Sequence, residues 1–497
     1  MVLRLYSTEV IAHRFALNML VSTTRSLRLD RLVIRLKAYQ STLMDPNKSS
    51  GSPQASASSP SPVSPKNEQT DQSVSQKLHS RSQNFKESLA RSSATADDVL
   101  SPPARGRSIK SPTAPTGVPL SKIMQNAFPL SYDDSFQQWR AGHDLKTVEE
   151  KVFSYLPFFP VSDGLRVATS LQVPVEEDKK SFWQKTPNFI DEFEVSQIGT
   201  TATNHLVLLH GYGAGKAFFY KNLDAMSKVP GWTIHALDLL GYGRSSRPRF
   251  RIPHSLSKIE GIERTEDFFV ESLEKWRQER GIDKFTLVAH SLGAYVGTAY
   301  ATRYPENVDK FLLVSPAGVP RSIYSIPVEE TGGPESRVFA RGTSRAPGWF
   351  RFLWECNVSP FSLVRNTGPF GPKFVSGWTS RRFALLPEIE ATDLHKYTYG
   401  IFNAKGSGEY ALNYLLAPGA HGRWPLAERA YKMKCPTLWM YGSHDWMDVN
   451  GGREACRIIR DHGGRADLMM IPDSGHHIYL DNDVEFNKRV VEFMTTF

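Results

Sequence analysis

The chain has 497 residues, a formal net charge of +9 and a sequence pI near 9.2. This length allows two or three domains, or one large domain with tails. We find no apolar run of about 18 residues, which argues against a transmembrane helix.

Three scattered cysteines, Cys356, Cys435 and Cys456, fit neither a zinc site nor a disulfide framework and favour a reducing compartment. We therefore expect no metal and no cofactor. The sequence contains no nucleic-acid module, so the basic charge predicts peripheral contact with an anionic membrane surface.

Two segments precede the predicted fold. Residues 1–44 are rich in arginine and poor in acidic residues, and as a helix they place Arg28, Arg31 and Arg35 on one side. This pattern predicts a mitochondrial targeting segment, and the alternative is a basic, partly disordered start of a cytosolic protein. Residues 45–117 are rich in Ser and Pro with almost no aromatic residues, so we expect disorder there.

Residues 118–497 show the pattern of a single α/β domain. Two amphipathic helices and two antiparallel strands come first, and strands then alternate with helices, which favours a mostly parallel central sheet with helices on both faces. At the last helix, Asn482 and Glu485 predict a capping box. The predicted helices are 123–139, 145–156, one with an apolar face formed by Phe268 to Trp276, 294–300 and 483–494. The predicted strands are 166–171, 189–195, 206–209, 232–237, 284–288, 311–314, 437–441 and 468–471.

A long insert interrupts the alternation at residues 318–430. It shows no clear strand, and we expect it to be largely helical. Its many apolar side chains predict a cap or lid over a binding site, and the alternative is a helical satellite with its own small core. These side chains are Trp349, Phe350, Phe352, Leu353, Trp354, Phe361, Phe370, Phe374 and Trp378.

A short β-rich stretch, 284–288, leads into Ala289-His290-Ser291-Leu292-Gly293. A serine in a tight turn between a strand and a helix, with small residues two places before and after it, is typical of a nucleophile elbow. Gly293 fits this pattern, and Ala289 replaces the usual first glycine. Ser291 is therefore the predicted nucleophile.

A serine nucleophile needs a base, and the base needs an acid that fixes its tautomer. His476 follows the last predicted strand, so a loop can return it to the carboxyl edge of the sheet. Asp445, which follows the strand 437–441, is the first choice for the acid, with Asp448 as the alternative. The chain order Ser291, Asp445, His476 is typical of the α/β-hydrolase fold.

The oxyanion that forms during acyl transfer needs two backbone donors. We expect the amide of Leu292 to be one, because it directly follows the nucleophile at a helix N-terminus. Tyr212, within His210–Gly215, is the candidate for the second, since the glycines around it allow close approach of the backbone. The spacing of these glycines does not match a dinucleotide-binding fingerprint.

Three stretches resemble one lipid-acting α/β-hydrolase subfamily: Asp238–Pro248, His210–Gly213 and Gly475–Asp481. The subfamily includes the comparative gene identification-58 lipase co-activator, the N-acyl phospholipid lipases and the fungal mitochondrial cardiolipin-specific deacylase, and the resemblance covers residues 120–497. It implies that His476 and Asp481 form the H-x4-D motif linked to acyl transfer to lysophosphatidic acid. The alternative for Asp481 is a cap that begins the last helix.

The resemblance implies a phospholipid acyl hydrolase, with cardiolipin deacylation in mitochondrial acyl-chain remodelling as the leading hypothesis. One alternative is transfer from acyl-CoA to lysophosphatidic acid, and another is a non-catalytic co-activator at lipid surfaces. The co-activator branch lacks the serine that is present here as Ser291, which favours an enzyme. The expected location is the mitochondrial matrix or inner-membrane surface, with a lipid droplet or the endoplasmic reticulum surface as the alternative; the oligomeric state stays open.

The insert also contains basic residues that can hold a phosphate head group. For any single one of them, the alternative is a solvated surface charge. The candidates in or beside the insert are Arg351, Arg365, Arg381, Arg382 and Arg423.

Overall fold

The computed structural model describes residues 118–142, 144–176, 187–253, 255–340 and 348–496. The predicted targeting segment and the predicted Ser/Pro-rich segment lie outside these residues.

An eight-stranded sheet forms the centre of the described chain, in the order β1-β2-β4-β3-β5-β6-β9-β10. β2 pairs antiparallel with β1 and β4, and all other neighbours in this sheet are parallel. The mostly parallel arrangement confirms the predicted fold class. The strands are β1 Arg166–Pro174, β2 Phe189–Gln197, β3 Asn204–Leu209, β4 Trp232–Leu237, β5 Phe285–His290, β6 Val308–Val314, β7 Leu416–Ala417, β8 His421–Gly422, β9 Thr437–Gly442 and β10 Ala466–Ile471.

The helices lie before, between and after these strands. Those of the described residues are α1 Leu120–Ile123, α2 Tyr132–Ala141, α3 Leu145–Phe153, α4 Tyr220–Met226, α5 Lys258–Glu279, α6 Leu292–Arg303, α7 Val328–Thr331, α8 Gly348–Glu355, α9 Pro360–Asn366, α10 Gly371–Arg382, α11 Glu388–Asn403, α12 Leu412–Leu415, α13 Val449–Asp461, α14 Ile478–Asp481 and α15 Asp483–Thr496. None of them is both long and apolar enough to cross a membrane.

The prediction of one helix over 123–139 was wrong, because the chain forms α1 and α2 with a turn between them. Ser131 explains the break, since its extended backbone and its side chain, which accepts the N–H of Asp134, start a new helix there. The capping box at Asn482 is only half formed. Its side chain accepts the N–H of Glu485, but its own N–H donates to the carbonyl of Ile478.

Apolar side chains cover both faces of the sheet in two buried clusters. Successive strand residues point to opposite faces, so Trp439 joins one cluster and Met440 the other. Trp276 of α5 and Tyr300 of α6 pack on the first face, and Phe219 packs on the second.

The described residues between β6 and β9 are largely helical, as expected. They also contain β7 and β8, two antiparallel strands of two residues each. The sequence analysis did not predict these strands, because the insert has no β-rich run. The insert is hydrogen-bonded to the segments that follow α1 and α3. The ammonium of Lys373 donates to the carbonyls of Gln125, at 2.8 Å, and Phe128, at 3.0 Å, and Tyr155 donates to Asp393 at 2.7 Å.

A buried charge cluster connects the leading helices to the sheet. The ammonium of Lys216, which has no solvent exposure, lies 2.7 Å from both Glu149 of α3 and Asp191 of β2 and 2.9 Å from Asp238 after β4. Arg244 adds a second cation, at 2.8 Å from Glu149. Burial acts to lower the pKa of Lys216, but the surrounding carboxylates outweigh it and raise that pKa, so Lys216 stays charged.

Asp238 explains why the stretch Asp238–Pro248 contains glycine where it does. Its carboxylate accepts the N–H groups of Lys216, at 2.9 Å, and Arg244, at 2.8 Å. Gly243 has a φ of +45°, and a Cβ there would lie 2.1–2.2 Å from the Asp238 carboxylate. The loop can therefore close around Asp238 only with glycine at this position.

Gly293 makes a close approach that sets the start of α6 against β3. A Cβ at this position would lie 2.5 Å from the carbonyl oxygen of His210 and 2.8 Å from that of Leu209. We expect Gly293→Ala to lower the free energy of unfolding by about 1–3 kcal/mol, as overpacking does, because both obstacles are backbone atoms. Urea unfolding followed by circular dichroism measures this change.

Gly261→Ala is the matched control, because an added Cβ there would meet its nearest neighbours at 3.9 and 4.0 Å. Gly261 lies within α5, where alanine is favoured over glycine by about 0.5–1 kcal/mol. Equal losses of stability in the two variants would contradict the steric explanation.

Candidate active site

Three loops at the carboxyl edge of the sheet bring the predicted catalytic residues together. Ser291 follows β5, Asp445 follows β9 and His476 follows β10. β9 lies between β6 and β10 in the parallel part of the sheet, so these loops leave from the same edge. The fold thus explains how residues up to 185 positions apart in the chain make contact.

Ser291 has a φ of 54° and a ψ of −114°, a conformation that residues with a Cβ rarely adopt. Hydrogen bonds on both sides hold it there: its N–H donates to Val314 at 2.9 Å, and its carbonyl accepts the N–H of Ala317 at 3.2 Å. The side chain is consequently held at the turn between β5 and α6. This is the geometry expected of a nucleophile elbow.

The imidazole of His476 connects the serine to a carboxylate. Nε2 lies 3.1 Å from Oγ of Ser291, and Nδ1 lies 3.2 Å from Oδ1 of Asp445. Because an ionised carboxylate only accepts hydrogen bonds, the proton of neutral His476 belongs on Nδ1, which leaves Nε2 free to accept the serine proton. The three side chains therefore form one hydrogen-bonded chain, although their catalytic role remains a prediction.

The two candidate acids have different positions. Asp445 is the one that contacts His476, and its side chain also accepts the N–H of Met447 at 3.1 Å. Burial acts to raise the pKa of Asp445, but His476, together with smaller contributions from Ser315 and the N–H of Met447, keeps this pKa below its ordinary value. Asp448 instead caps α13, where its side chain accepts the N–H of Asn450 at 3.0 Å.

The loops that carry Asp445 and His476 are bonded to each other. His444 N–H donates to Ser474 at 2.9 Å, and Ser443 N–H donates to Ile471 at 2.9 Å. A Cβ on Gly442 would lie 2.4 Å from the carbonyl oxygens of Ser474 and Gly475, so glycine allows this approach. The contact fixes the acid relative to the base.

His290 is a positioning residue that the sequence analysis missed. Its Nε2 lies 2.9 Å from the carbonyl oxygen of His476, so this nitrogen carries a proton and donates it. Burial lowers the pKa of His290 well below its ordinary value, which keeps the ring neutral. His290 thereby holds the backbone of the base from the residue next to the nucleophile. The ring of His477, the residue after His476, packs against that of His290 at 4.9 Å and lies 6.0 Å from that of Phe218.

The candidate oxyanion loop lies beside the nucleophile. A Cβ on Gly211 would be only 2.9 Å from Cβ of Ser291. Leu239 N–H donates to Nε2 of His210, so the proton of that ring is on Nδ1, which donates to the carbonyl of Gly211 at 2.8 Å. Within the described residues, neither candidate donor, the N–H of Tyr212 or of Leu292, bonds to a main-chain carbonyl. Both are thus available to a ligand.

Asp481 supports the loop that carries His476. Its carboxylate accepts the N–H of Gly475 at 2.9 Å. The alternative that Asp481 caps the last helix was wrong, because Asp481 ends α14, and Asn482 supplies the side chain that bonds at the start of α15. Asp481 therefore acts on the backbone immediately before the base.

Aromatic side chains of the insert cover these loops. The ring of Phe361 stacks on Tyr212, with 4.8 Å between ring centroids, and Phe402 stacks on Phe361 at 4.2 Å. Trp378 approaches the ring of His477 at 6.3 Å. The insert thus contacts both the candidate oxyanion loop and the loop of the base, as a lid over the site requires.

One group of potential metal ligands lies elsewhere in the described residues: Glu192, Glu194 and His235. Its donor atoms already have protein partners. Glu192 accepts from Trp276 at 2.8 Å and lies 2.6 Å from His235. Nε2 of His235 in turn lies 3.0 Å from His205. We therefore interpret this group as a hydrogen-bonded network between β2, β3, β4 and α5.

The contact to His476 predicts that Asp445 and Asp448 respond differently to substitution. We expect Asp445→Asn to lower kcat for ester hydrolysis by roughly 10⁴-fold, because the amide favours the wrong tautomer of His476. Asp448→Asn is the matched control, and asparagine caps a helix about as well as aspartate. Steady-state kinetics with a soluble p-nitrophenyl ester measures both. A larger loss in the Asp448 variant would contradict the assignment.

The burial of Asp481 gives a pH-dependent prediction. Burial is the main cause that raises its pKa from 3.8 to about 6, so the folded chain holds this proton more tightly than the unfolded chain. Stability due to this group therefore falls as the pH rises through that range.

Asp481→Asn does not titrate and keeps an oxygen that can accept from Gly475. We expect Tm of the variant minus Tm of the wild type to increase between about pH 4 and about pH 7. A difference that is constant or decreases would contradict this.

Comparisons with known proteins agree with this geometry. A family model described as alpha/beta hydrolase fold matches residues 204–483. The chain is 36% identical over 292 residues to a 1-acylglycerol-3-phosphate O-acyltransferase of Arabidopsis thaliana, covering 58% of this chain and 65% of that protein. It is 32% identical over 295 residues to the human (lyso)-N-acylphosphatidylethanolamine lipase, covering 58% and 78%. It is 29% identical over 360 residues to the human 1-acylglycerol-3-phosphate O-acyltransferase ABHD5, covering 71% and 90%.

The match to the plant relative spans less than two thirds of that protein's length. The family match itself covers more than half of this chain and contains Ser291, Asp445 and His476. The chain therefore belongs to the α/β-hydrolase family, in the subfamily of these acyltransferases and N-acyl phospholipid lipases.

Proposed function

We propose that this protein is a serine acyl hydrolase that acts on phospholipids through an acyl-enzyme. The observation that carries the proposal is the hydrogen-bonded chain from Ser291 through His476 to Asp445, at distances of 3.1 and 3.2 Å. A serine held in strained backbone geometry within hydrogen-bonding distance of an imidazole is suited to nucleophilic attack on an ester.

The first half of the reaction forms the acyl-enzyme. Oγ of Ser291 attacks the ester carbonyl carbon while Nε2 of His476 takes the serine proton. The resulting imidazolium is stabilised by the Asp445 carboxylate. The N–H groups of Leu292 and Tyr212 stabilise the negative oxygen that develops, since preorganised donors need no rearrangement at that moment. His476 then gives its proton to the departing alcohol oxygen, and the C–O bond breaks.

The second half transfers the acyl group to an acceptor. His476 removes a proton from water as the water oxygen attacks the acyl carbon, and the proton then returns to Oγ of Ser291 as the free acid leaves. A hydroxyl of a lysolipid can replace water in the same step without any change in the protein groups used. Hydrolysis and acyl transfer thus share one site and differ in the acceptor.

Three features support a phospholipid substrate. The similar proteins from Arabidopsis and human are named for acyl transfer to a phosphate-bearing lysolipid and for cleavage of an N-acyl phospholipid. The insert places the apolar rings of Phe361, Phe402 and Trp378 next to the loops of the site, where they can shelter acyl chains. The net charge of +9 favours an anionic lipid surface. Within this class, we propose cardiolipin as the specific substrate. We propose that residues 1–44 direct the protein to mitochondria.

Acyl transfer from acyl-CoA to lysophosphatidic acid is the second candidate. The observation that favours it is the position of Asp481, which bonds to Gly475 in the loop of His476 and completes the H-x4-D motif. The third reading, a non-catalytic co-activator, has less support because Ser291 is present and bonded to His476.

The decisive variant is Ser291→Ala. We expect it to lower ester hydrolysis by roughly 10⁴- to 10⁶-fold, since removal of a triad member eliminates the covalent step. A fluorophosphonate probe should label the wild type and not the variant. Ser443→Ala is the control, because Ser443 is an exposed serine in the loop that leads to Asp445. Equal labelling of wild type and Ser291→Ala would contradict the assignment of the nucleophile.

The substrate class is tested with the wild type in a lipid panel. Vesicles containing cardiolipin, phosphatidylglycerol or phosphatidylcholine are compared with triacylglycerol emulsions, and acyl-CoA with lysophosphatidic acid is measured separately. We expect faster release of fatty acid from the anionic vesicles than from triacylglycerol, and a decrease in this rate as salt increases. Equal or faster turnover of triacylglycerol, insensitive to salt, would contradict a phospholipase. Phosphatidic acid formation faster than fatty-acid release would select the second candidate.

A further inference from the structure

The arginines of the insert that the sequence offered as phosphate ligands fall into different environments. Arg365 is committed to Glu409, with nitrogen and oxygen 2.6 Å apart, and Arg423 is committed to Glu355 at 2.8 Å. Arg351 is exposed on α8. Each of these three either already has its charge partner or points into solvent.

Arg382, the last residue of α10, has neither arrangement. Its Nη1 is buried and, within the described residues, has no hydrogen-bond partner, and the same residues offer it no ion pair within 4.0 Å. The guanidinium lies 5.4 Å from the ring centroid of Trp378. The neighbouring Arg381, by contrast, is engaged in other interactions.

Arg382 lies next to the catalytic loop. The Trp378 ring that it covers is 6.3 Å from the ring of His477, which in turn is 5.5 Å from the ring of His476. The insert therefore places a cation two ring contacts away from His476, on the side where Trp378 and His477 meet, and this charge adds to burial in lowering the pKa of His477.

The electrostatics of Arg382 favour an anionic ligand. Burial lowers its pKa, with a counteracting contribution from Asp481, but a guanidinium keeps its proton in proteins. Arg382 is partly buried, and its Nη1 is buried without an acceptor, which is costly, so a ligand that supplies the missing acceptor gains the difference. Asp481 is poorly suited to that role, because its carboxylate accepts from Gly475 and burial raises its own pKa to about 6.

We propose that Arg382 binds the phosphate group of the lipid whose acyl ester is attacked by Ser291. Phosphate oxygens match the planar fork of a guanidinium, and charge-assisted bonds of this kind are shorter and stronger than neutral ones. Arg382 is thus a specificity-determining residue that selects acyl esters carrying a phosphate over neutral glycerides. This inference rests on the proposed function and assigns the head-group position within that site.

The test compares two substrates in the same protein. The ratio of kcat/KM for phosphatidylglycerol in mixed micelles to kcat/KM for a neutral diacylglycerol in the same micelles measures recognition of phosphate. We expect Arg382→Gln to lower this ratio roughly 10- to 100-fold, as loss of a charge-assisted bond predicts. Arg382→Lys keeps the charge and should retain part of the selectivity, while Arg351→Gln, an exposed arginine of the same insert, should leave the ratio unchanged.

A second measurement does not depend on a folded variant and identifies the source of the phosphate. Glycerol 3-phosphate and inorganic phosphate are tested as competitors of neutral-ester turnover by the wild type. Competition by glycerol 3-phosphate alone supports a lipid head group, and competition by both supports a site for phosphate in general. The absence of competition by either would overturn the proposal.

The failures of the two proposals are distinguishable. Wild type that turns over phosphatidylglycerol, combined with an unchanged ratio in Arg382→Gln, would overturn only the role of Arg382. A proportional loss of both activities in that variant would also overturn it, because it would indicate a general structural role. Wild type without any phospholipid turnover would contradict the proposed function itself.

Discussion

The ammonium group of Lys216 is held in the protein interior by carboxylates from three different parts of the chain, at 2.7 to 2.9 Å. A buried cation that loses one partner costs several kcal/mol, roughly 3–5, so these parts are constrained to stay together. They are helix α3, strand β2 and the loop after β4. Lys216 also directly follows the candidate oxyanion loop, His210–Gly215, so the cluster fixes one end of that loop.

The insert is part of the same arrangement. Tyr397 of α11 donates to Glu149 at 3.1 Å, and a Cβ on Gly215 would lie 2.3 Å from the Tyr397 hydroxyl. The insert therefore contacts the loop that leads to Lys216. Phe361 of the insert also stacks on Tyr212, at the centre of this loop. The insert and the candidate oxyanion loop therefore constrain each other, because a shift of Tyr397 or Phe361 would disturb these contacts.

The sequence predicted those features of the site that follow from chain order and strand ends. Ser291, Asp445 and His476 each come directly after a strand, and parallel strands bring such loops to one edge. It could not predict His290 as the support of His476, because that contact depends on the rotamer of a ring in a tight turn. Nor could it distinguish Arg382 from the other arginines of the insert, because the sequence does not show which guanidinium groups form ion pairs with carboxylates. The break between α1 and α2 was missed because the apolar spacing continues across Ser131.

The contacts of Lys373 and Tyr155 also constrain the order in which this chain can assemble during synthesis. Gln125 and Tyr155, near the start of the domain, leave the ribosome well before their partners in the insert, which lie 238 to 248 residues later. Contacts this distant in sequence delay folding, because a long loop must close before they form. Until these contacts form, the part of the chain that they cover exposes apolar surface. The contacts of Lys373 and Tyr155 are therefore among the last of the domain to form, whereas α3 can pack earlier, because Lys216, the partner of Glu149, is only 67 residues away.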